Sequence, residues 1–217
     1  MVHSPSNLHE QGLTLLFGPQ DPDINEAYTK KLRSTLLETP SLEWILDATT
    51  NLIQHWQSIS KTLPELLASP GQKHLEALNE WLRRGKFPEE LFPLPNIIVT
   101  PLVVITHLLQ YLVFLKEVHP ELAPGDSLQA ALKLPTETVG LCTGMLSSAA
   151  VASSENLAQL EKHGAVAIRM AMAIGASVDA GDVDTDLKGK WKSVAVGWTS
   201  PDARKELAKI LKGFPGV

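Results

Sequence analysis

The chain's single cysteine lies in the stretch Val139-Gly140-Leu141-Cys142-Thr143-Gly144-Met145-Leu146, with a glycine two residues to either side of it. This Gly-x-Cys-x-Gly frame is typical of a nucleophile elbow in which sulfur replaces the usual serine oxygen. An elbow residue lies on a strained turn between a strand and a helix, and the turn closes only if those flanking positions lack side chains. We therefore predict that Gly140 and Gly144 shape the turn. Cys142 is then a nucleophile at a helix N-terminus, where the helix dipole favours a thiolate and a developing oxyanion.

The sequence beside the turn supplies the two elements that an elbow requires. Residues 134–139 are compatible with a short strand, and the small apolar residues 145–152 favour a helix that packs closely on a sheet. A lone cysteine is more often a buried, inert small hydrophobe than a catalyst. The five-residue pattern by itself leaves both interpretations open.

Three blocks of sequence together match the pattern of a known family. They are GLCTGML at 140–146, LLFGPQ at 15–20, and LPNIIVTPL at 94–102 followed by THLLQYL at 106–112. In this order they resemble the active-site turn, the first strand with its oxyanion loop, and the helix before the elbow of starter-unit acyl-carrier-protein transacylase (SAT) domains. Such domains stand at the N-terminus of fungal non-reducing polyketide synthases, and the resemblance spans nearly the whole chain.

The resemblance implies an acyltransferase of fungal secondary metabolism. A starter acyl group would pass from acyl-CoA or acyl-carrier protein, through an acyl-cysteine at Cys142, to the phosphopantetheine thiol of a polyketide synthase carrier domain. No cofactor is bound by the chain in this scheme, since the phosphopantetheine belongs to the partner carrier protein. Gln20 and Thr143 would form the oxyanion hole. Pro19 stands where the family usually has aspartate, and proline has no N–H and a fixed φ, so the loop that shapes the hole is altered.

The catalytic base is the weak point of that scheme. In the family it is a histidine located after an inserted subdomain, and the resemblance implies that this chain ends before that part. Of the seven histidines present, His107 is the least implausible substitute, and we interpret it as a core histidine hydrogen-bonded to backbone. An alternative hypothesis is a truncated, catalytically inactive relative that acts at most as a binding module. A third, weaker one is a thioester hydrolase with a cysteine nucleophile.

Composition excludes several classes of protein. A formal net charge of −5 and a sequence pI near 5.8 argue against a nucleic-acid-binding surface. One cysteine excludes an internal disulfide framework, and the histidines show no metal-ligand spacing, so we predict no metal site. Substrate-binding residues are not assignable from the sequence.

The sequence also carries expectations about membranes and location. The N-terminal residues have no basic region and no apolar run of the secretory type. The most apolar stretch, residues 97–115, is interrupted by polar residues and by Pro101, which favours a buried helix over a membrane span. We expect a cytoplasmic protein without a membrane partner.

Periodicity predicts a mostly helical α/β protein with a parallel sheet under the elbow. The predicted elements are strands at 12–18 and 192–198, one helix with apolar positions from 42 to 59, and helices at 74–84, 100–118, 153–178 and 203–211. Thr100 and Pro101 are predicted to cap and begin the long apolar helix. The resemblance implies a malonyl-transacylase-like architecture, a hydrolase-like α/β body with the first βα half of a small ferredoxin-like subdomain. The domain boundaries are then a flexible tail at 1–10, the body at 11–188 with its elbow at 140–144, and the partial subdomain at 189–217.

Overall fold

The computed structural model describes residues 13–19, 24–134 and 136–183, together with Asp202, Lys205 and Lys209. The chain divides into two compact units, Met1–Val183 and Asp184–Val217. The boundaries predicted at residues 10 and 188, and the ferredoxin-like assignment of 189–217, fall outside the described ranges and stay predictions. The strand predicted at 192–198 also lies outside them. Asp202, Lys205 and Lys209 are helical, and the first two form an ion pair of 3.4 Å.

In its described residues, the first unit is helix-rich and contains two short strands. Its elements, in chain order, are β1 (Leu13–Phe17), α1 (Glu26–Glu38), α2 (Glu43–Thr50), α3 (Leu52–Thr62), α4 (Gly71–Arg84), α5 (Asn96–Val118), α6 (Pro124–Ala131), β2 (Thr136–Gly140), α7 (Gly144–Ala152) and α8 (Leu157–Val183). Three 3-10 turns join them, at Pro40–Leu42, Pro64–Ala68 and Glu89–Leu91. The predicted α/β class is confirmed.

The two strands form a parallel sheet in which Leu13 pairs with Thr136 and Phe17 with Gly140. Side chains alternate between the faces of a strand, and in β1 Leu15 and Phe17 turn toward the helical core while Leu16 is 73 % exposed. Parallel strands need a long crossover connection, and here it consists of α1 to α6. The sheet thus brings residues 13–17 beside residues 136–140.

The core is organised around α5, whose side chains are buried on most of its circumference. Its length and its mean hydropathy of 2.1 would suffice for a membrane span, but 78 % of its most apolar window is buried by the rest of the protein. α8 passes the same test of length and composition with 39 % of its window buried. α5 is accordingly the core helix that the sequence predicts.

The start of α5 corrects one prediction. Thr100 and Pro101 do not begin the helix, which starts at Asn96 with Pro101 inside it. The carboxylate of Asp179 on α8 accepts hydrogen bonds from the backbone N–H groups of Asn96 (2.9 Å) and Ile97 (2.8 Å). A cap supplied by a distant helix replaces the local one, because these N–H groups have no partner within their own helix.

The single helix predicted from 42 to 59 is also wrong, since it is divided at Asn51 into α2 and α3. The Thr49 and Thr50 hydroxyls donate to the carbonyl oxygens of Ile45 and Leu46, at 2.7 and 2.8 Å. Threonine hydroxyls that bond the carbonyl four residues back compete with the backbone ladder and bend helices. Helices α1 and α6 were not predicted, and α8 extends to Val183 rather than ending at Val178.

The small residues of α8 allow close helix packing. A Cβ built on Gly175 would lie 2.2 Å from the carbonyl oxygen of Asn96, and one on Gly164 would lie 2.5 Å from the Trp44 ring. Neither position has room for a side chain, so α8 approaches α2 and α5 at distances that only glycine permits.

Candidate functional site

The site is built where β1 and β2 end side by side. The backbone N–H of Leu141 donates to the carbonyl oxygen of Phe17 at 3.0 Å, which continues the sheet by one hydrogen bond into the turn. Residues 15–18 and 140–144, which belong to separate blocks in the sequence, therefore meet at the carboxyl edge of the sheet. In parallel α/β structures this edge is the usual place for a ligand site.

Both glycines of the turn lie where a side chain has no room. A Cβ on Gly140 would come within 2.5 Å of the Gly144 carbonyl oxygen and of the Met145 Cα. A Cβ on Gly144 would lie 2.1 Å from the carbonyl oxygen of Phe17 and 2.5 Å from that of Gly18. Because these neighbours are backbone atoms, side-chain rotation cannot relieve either contact. The two glycines allow strand, turn and helix to approach one another.

Cys142 has a left-handed backbone conformation, with φ of 55°. It is the only residue other than glycine with positive φ among the described residues, and this region costs an L-residue roughly 1–2 kcal/mol. The turn is closed by hydrogen bonds from Gly144 N to Leu141 O and from Met145 N to Cys142 O, each 3.0 Å. Strain of this kind is concentrated at functional sites. The thiol side chain is exposed, so Cys142 is not a buried small hydrophobe.

The residue after the cysteine leads directly into α7. Thr143 is the N-cap of that helix and makes no side-chain capping hydrogen bond. In the part of the chain that the structure describes, its backbone N–H donates to no protein acceptor. This donor lies at the positive end of the helix dipole, next to the sulfur, and it is available to an anion.

The second predicted oxyanion donor is not placed, because Gln20 lies outside the described residues. Gly18 and Pro19 are described, and Gly18 O lies against Gly144. The segment that leads to Gln20 therefore starts beside the turn. The roles of Gln20 and Thr143 as oxyanion donors stay predictions.

His107 lies closer to the turn than its sequence position indicates. Its Nδ1 and the Oγ of Ser147 on α7 form a hydrogen bond of 3.0 Å, and its ring meets the edge of Phe17 with centroids 5.7 Å apart. A histidine bonded to backbone was expected, and the partner is a side chain instead. Burial lowers the pKa of His107 below its ordinary value, which favours the neutral imidazole at pH 7.

The other histidine near α7 is also bonded to serine. His163 Nδ1 lies 3.0 Å from Ser153 Oγ and 3.1 Å from Ser154 Oγ. Within the described chain the sulfur of Cys142 has one polar neighbour, the Thr143 hydroxyl at 3.9 Å, and no imidazole is hydrogen-bonded to it. Among the described residues, the candidate nucleophile Cys142 is therefore not hydrogen-bonded to a histidine.

Apolar side chains are exposed on the turn and on the elements that flank it. Four side chains on β1, β2, the turn and α7 are largely exposed there, with fractions from 48 to 73 %: Leu16, Val139, Leu141 and Met145. The sequence analysis places Leu16, Val139 and Met145 in predicted strands and a helix and Leu141 in the turn, and assigns none of them to the site. Alternation along each strand gives a signal, since Leu16 and Val139 are register partners on the face opposite the core. Exposed apolar side chains on the elements that flank Cys142 suit an apolar ligand.

Other candidate chemistry is weaker. Among the described residues, no group of three or more His, Cys, Asp or Glu side chains could hold a metal ion. Arg169 on α8 donates through Nε to the carbonyl oxygen of Ala165 at 3.2 Å. It takes part in none of the ion pairs that the described part of the chain contains.

Together, a parallel sheet and a strained, exposed cysteine between strand and helix define the class of α/β proteins with a nucleophile elbow. Within that class the chain belongs to the starter-unit acyl-carrier-protein transacylase family. The family model described as "Starter unit:ACP transacylase in aflatoxin biosynthesis" matches residues 15–213.

The relatives that match this chain are fungal synthases. The chain is 54 % identical over 214 residues to the non-reducing polyketide synthase pkdA of Emericella nidulans. The aligned region covers 99 % of this chain and 9 % of the synthase. It is 42 % identical over 204 residues to the non-reducing polyketide synthase pigA of Monascus ruber, covering 93 % of this chain and 7 % of that protein. The citrinin polyketide synthase of Monascus ruber is 39 % identical over 215 residues, with coverages of 99 % and 8 %. The chain thus spans less than a tenth of the length of these relatives.

Proposed function

We propose that this protein loads a starter acyl group onto a polyketide synthase carrier domain, with Cys142 as the acyl-accepting nucleophile. The observation that supports the proposal most directly is the exposed sulfur on a left-handed turn at the start of α7. The class of substrates is inferred from the chain's membership in the starter-unit transacylase family. The donor is an acyl-CoA or an acyl-carrier protein, and the final acceptor is the phosphopantetheine thiol of a carrier domain.

In the first half-reaction the thiolate of Cys142 attacks the carbonyl carbon of the donor thioester. A carbon–sulfur bond forms while the carbonyl π electrons move to oxygen, and the N–H of Thr143 donates to that oxyanion. Collapse of the tetrahedral intermediate breaks the bond to the donor sulfur. The donor leaves as a thiolate that takes up a proton, and the acyl group stays on Cys142 as a thioester.

The second half-reaction is the reverse with a new thiol. The phosphopantetheine sulfur of the carrier attacks the acyl-cysteine carbonyl, the same donors stabilise the oxyanion, and the Cys142 thiolate leaves. Both half-reactions exchange one thioester for another, so neither requires an oxidant or a metal. We further propose that Gln20 provides the second oxyanion donor and that the body has the malonyl-transacylase-like architecture, in a cytoplasmic setting.

The proposal needs a base to remove the thiol proton in the first step. A base acts within about 3 Å of the proton that it removes, and the described imidazoles of His107 and His163 are hydrogen-bonded to serines instead. Cysteine retains a few per cent of thiolate near pH 7, and the N-terminus of α7 favours that form. We therefore expect slow self-acylation by this chain and faster turnover where another polypeptide segment supplies an imidazole.

The test is mass spectrometry of the protein after incubation with acyl-CoAs of short and medium chain length. We expect one acyl adduct per chain, located by peptide mapping on Cys142 and absent from Cys142→Ala. Adding a phosphopantetheinylated carrier domain should move the adduct to the carrier. Because the chain has one cysteine, an adduct that persists in Cys142→Ala would contradict the proposal.

The alternative function is a binding module without turnover, which the family match over residues 15–213 does not favour. It predicts that the carrier domain binds with the same affinity to wild type and Cys142→Ala while no acyl group moves. Acyl transfer above the uncatalysed rate would exclude it. The same transfer assay therefore decides between the two functions.

A further inference from the structure

His107 connects the two structural parts of the turn without contacting the sulfur through a hydrogen bond. Its ring lies edge-on against Phe17, the last residue of β1, and its Nδ1 bonds Ser147, which is fully buried near the start of α7. Phe17 and Ser147 belong to the two elements whose approach sets the turn. One α5 side chain thus contacts both the strand and the helix that hold Cys142.

We infer that His107 is a positioning residue that, together with Ser147, fixes α7 against the end of β1 and so holds Cys142 and the Thr143 N–H in register. The inference rests on the proposed function for its catalytic consequence, and on geometry for its structural part. Forty residues separate His107 from Ser147, so their bond is purely tertiary.

The close packing at the turn explains why this register needs a fixed position. Gly144 approaches Phe17 as closely as a glycine allows, and Leu141 is bonded to the same carbonyl group. A small shift of α7 along β1 would break that bond and move the helix N-terminus relative to the sulfur. Since the dipole effect falls off within the first turn of a helix, such a shift weakens the interaction of the helix N-terminus with a negative charge on the sulfur and with the oxyanion.

The polar surroundings of His107 are sparse. β1 and α7 carry no titratable side chain, and on α5 the others are Tyr111, Lys116 and Glu117. Among the described residues, the hydrogen-bond partner that the structure shows for the imidazole is the Ser147 hydroxyl. Removing one partner leaves the other with an unsatisfied polar group. Removing both partners leaves no unsatisfied group, so the double substitution costs less than the sum of the single ones.

This asymmetry allows a double-mutant test. The variants are His107→Phe, which keeps a ring against Phe17, Ser147→Ala, their combination, and His107→Asn, whose amide occupies the place of Nδ1. His163→Phe is the matched control, because it removes another half-buried imidazole bonded to serine hydroxyls, at the far end of α7. The first readout is the rate of Cys142 alkylation by iodoacetamide across pH 6 to 10, which reports the thiol pKa. The second is the rate of acylation by acyl-CoA.

We expect His107→Phe and Ser147→Ala each to slow acylation by about five-fold, the rate equivalent of one ordinary hydrogen bond, and to move the alkylation profile to higher pH. The double variant should be no slower than either single variant, and His107→Asn should retain most of the rate. His163→Phe should match the wild type in both readouts.

Two results would overturn the inference. The first result is that Ser147→Ala has the same alkylation and acylation rates as wild type, whereas His107→Phe and His107→Asn are equally slow. The imidazole itself would then be the reacting group. The other is wild-type behaviour of every folded variant. If His107→Phe does not fold, Ser147→Ala and His107→Asn still decide the question. If acyl-CoA does not react with wild type, the proposed function fails while the alkylation series remains decisive.

Discussion

Gly144 lies against Phe17 so closely that a Cβ on the glycine would come 2.1 Å from the phenylalanine carbonyl oxygen. The same oxygen accepts the hydrogen bond from Leu141. Strand, turn and helix therefore meet at one backbone group, and the position of Cys142 depends on that contact.

The first prediction concerns Gly144→Ala. The added methyl group meets rigid backbone, so we expect the free energy of unfolding to fall by about 1–3 kcal/mol. We also expect Cys142 to lose its reactivity toward acyl-CoA. Chemical denaturation and adduct mass spectrometry measure the two effects. Gly181→Ala is the control, since a Cβ there has nothing within 4 Å and alanine favours a helix. Equal stability of the two variants would contradict the steric argument.

The second prediction concerns the strain at Cys142. Replacing this residue by glycine removes the cost of the left-handed conformation, whereas alanine keeps it. We expect Cys142→Gly to be more stable than Cys142→Ala by about 1 kcal/mol, measured as the difference in unfolding free energy in urea. A less stable glycine variant would mean that the turn is not strained in solution.

The third prediction concerns the cap of α5. Asp179→Ala removes the acceptor of the N–H groups of Asn96 and Ile97, and we expect a loss of about 1.5–3 kcal/mol because these bonds involve a charged acceptor. Asp179→Asn keeps a carbonyl oxygen and should lose less. Substitution of the exposed Asp47 by alanine serves as the comparison, with an expected effect within about 0.5 kcal/mol. Thermal and urea unfolding would measure all three, and an Asp179→Ala variant as stable as the Asp47 variant would refute the long-range cap.

The fourth prediction concerns pH. Burial lowers the pKa of His107 in the folded protein, so the unfolded chain binds a proton more readily than the folded one. Stability is therefore full above the unfolded pKa of about 6.5 and falls as the pH drops below it, until the folded pKa is passed. His55 and His74 shift in the same direction. His107→Asn should consequently reduce, without abolishing, the loss of stability between pH 7 and pH 5, and an unchanged slope would contradict a neutral buried imidazole.

The fifth prediction concerns the exposed apolar side of α8. Met170 and Ile174 are 50 % and 47 % exposed, so their replacement by glutamine should change stability by less than about 0.5 kcal/mol and reduce the binding of a hydrophobic dye. Ala171, between them in sequence, is fully buried. Its replacement by glutamine should destabilise the fold through overpacking. Calorimetry and dye fluorescence would distinguish the exposed face of the helix from the buried one. If the Met170 and Ile174 variants lost as much stability as the Ala171 variant, the face with Met170 and Ile174 would be covered in solution.

The residues of the turn specify its geometry almost completely. Two glycines around one cysteine, between a short strand and a run of small apolar residues, predict the elbow that the structure contains. The same holds for β1, for α4 and for the burial of α5, because apolar periodicity and glycine sterics act over a few residues. These features follow from the sequence alone.

Tertiary structure decided what depends on residues far apart in the chain. Asp179 caps a helix that begins 83 residues earlier, so the predicted local cap at Thr100 is wrong. His107 bonds Ser147 on another helix, so the predicted backbone partner of His107 is wrong as well. At short range, the Thr49 and Thr50 hydroxyls bond carbonyl oxygens four residues back at the end of α2, and apolar periodicity does not report this local competition with the helix hydrogen bonds. Periodicity encodes which face of an element is buried, but a hydrogen bond between elements forms only after packing has brought its two groups together.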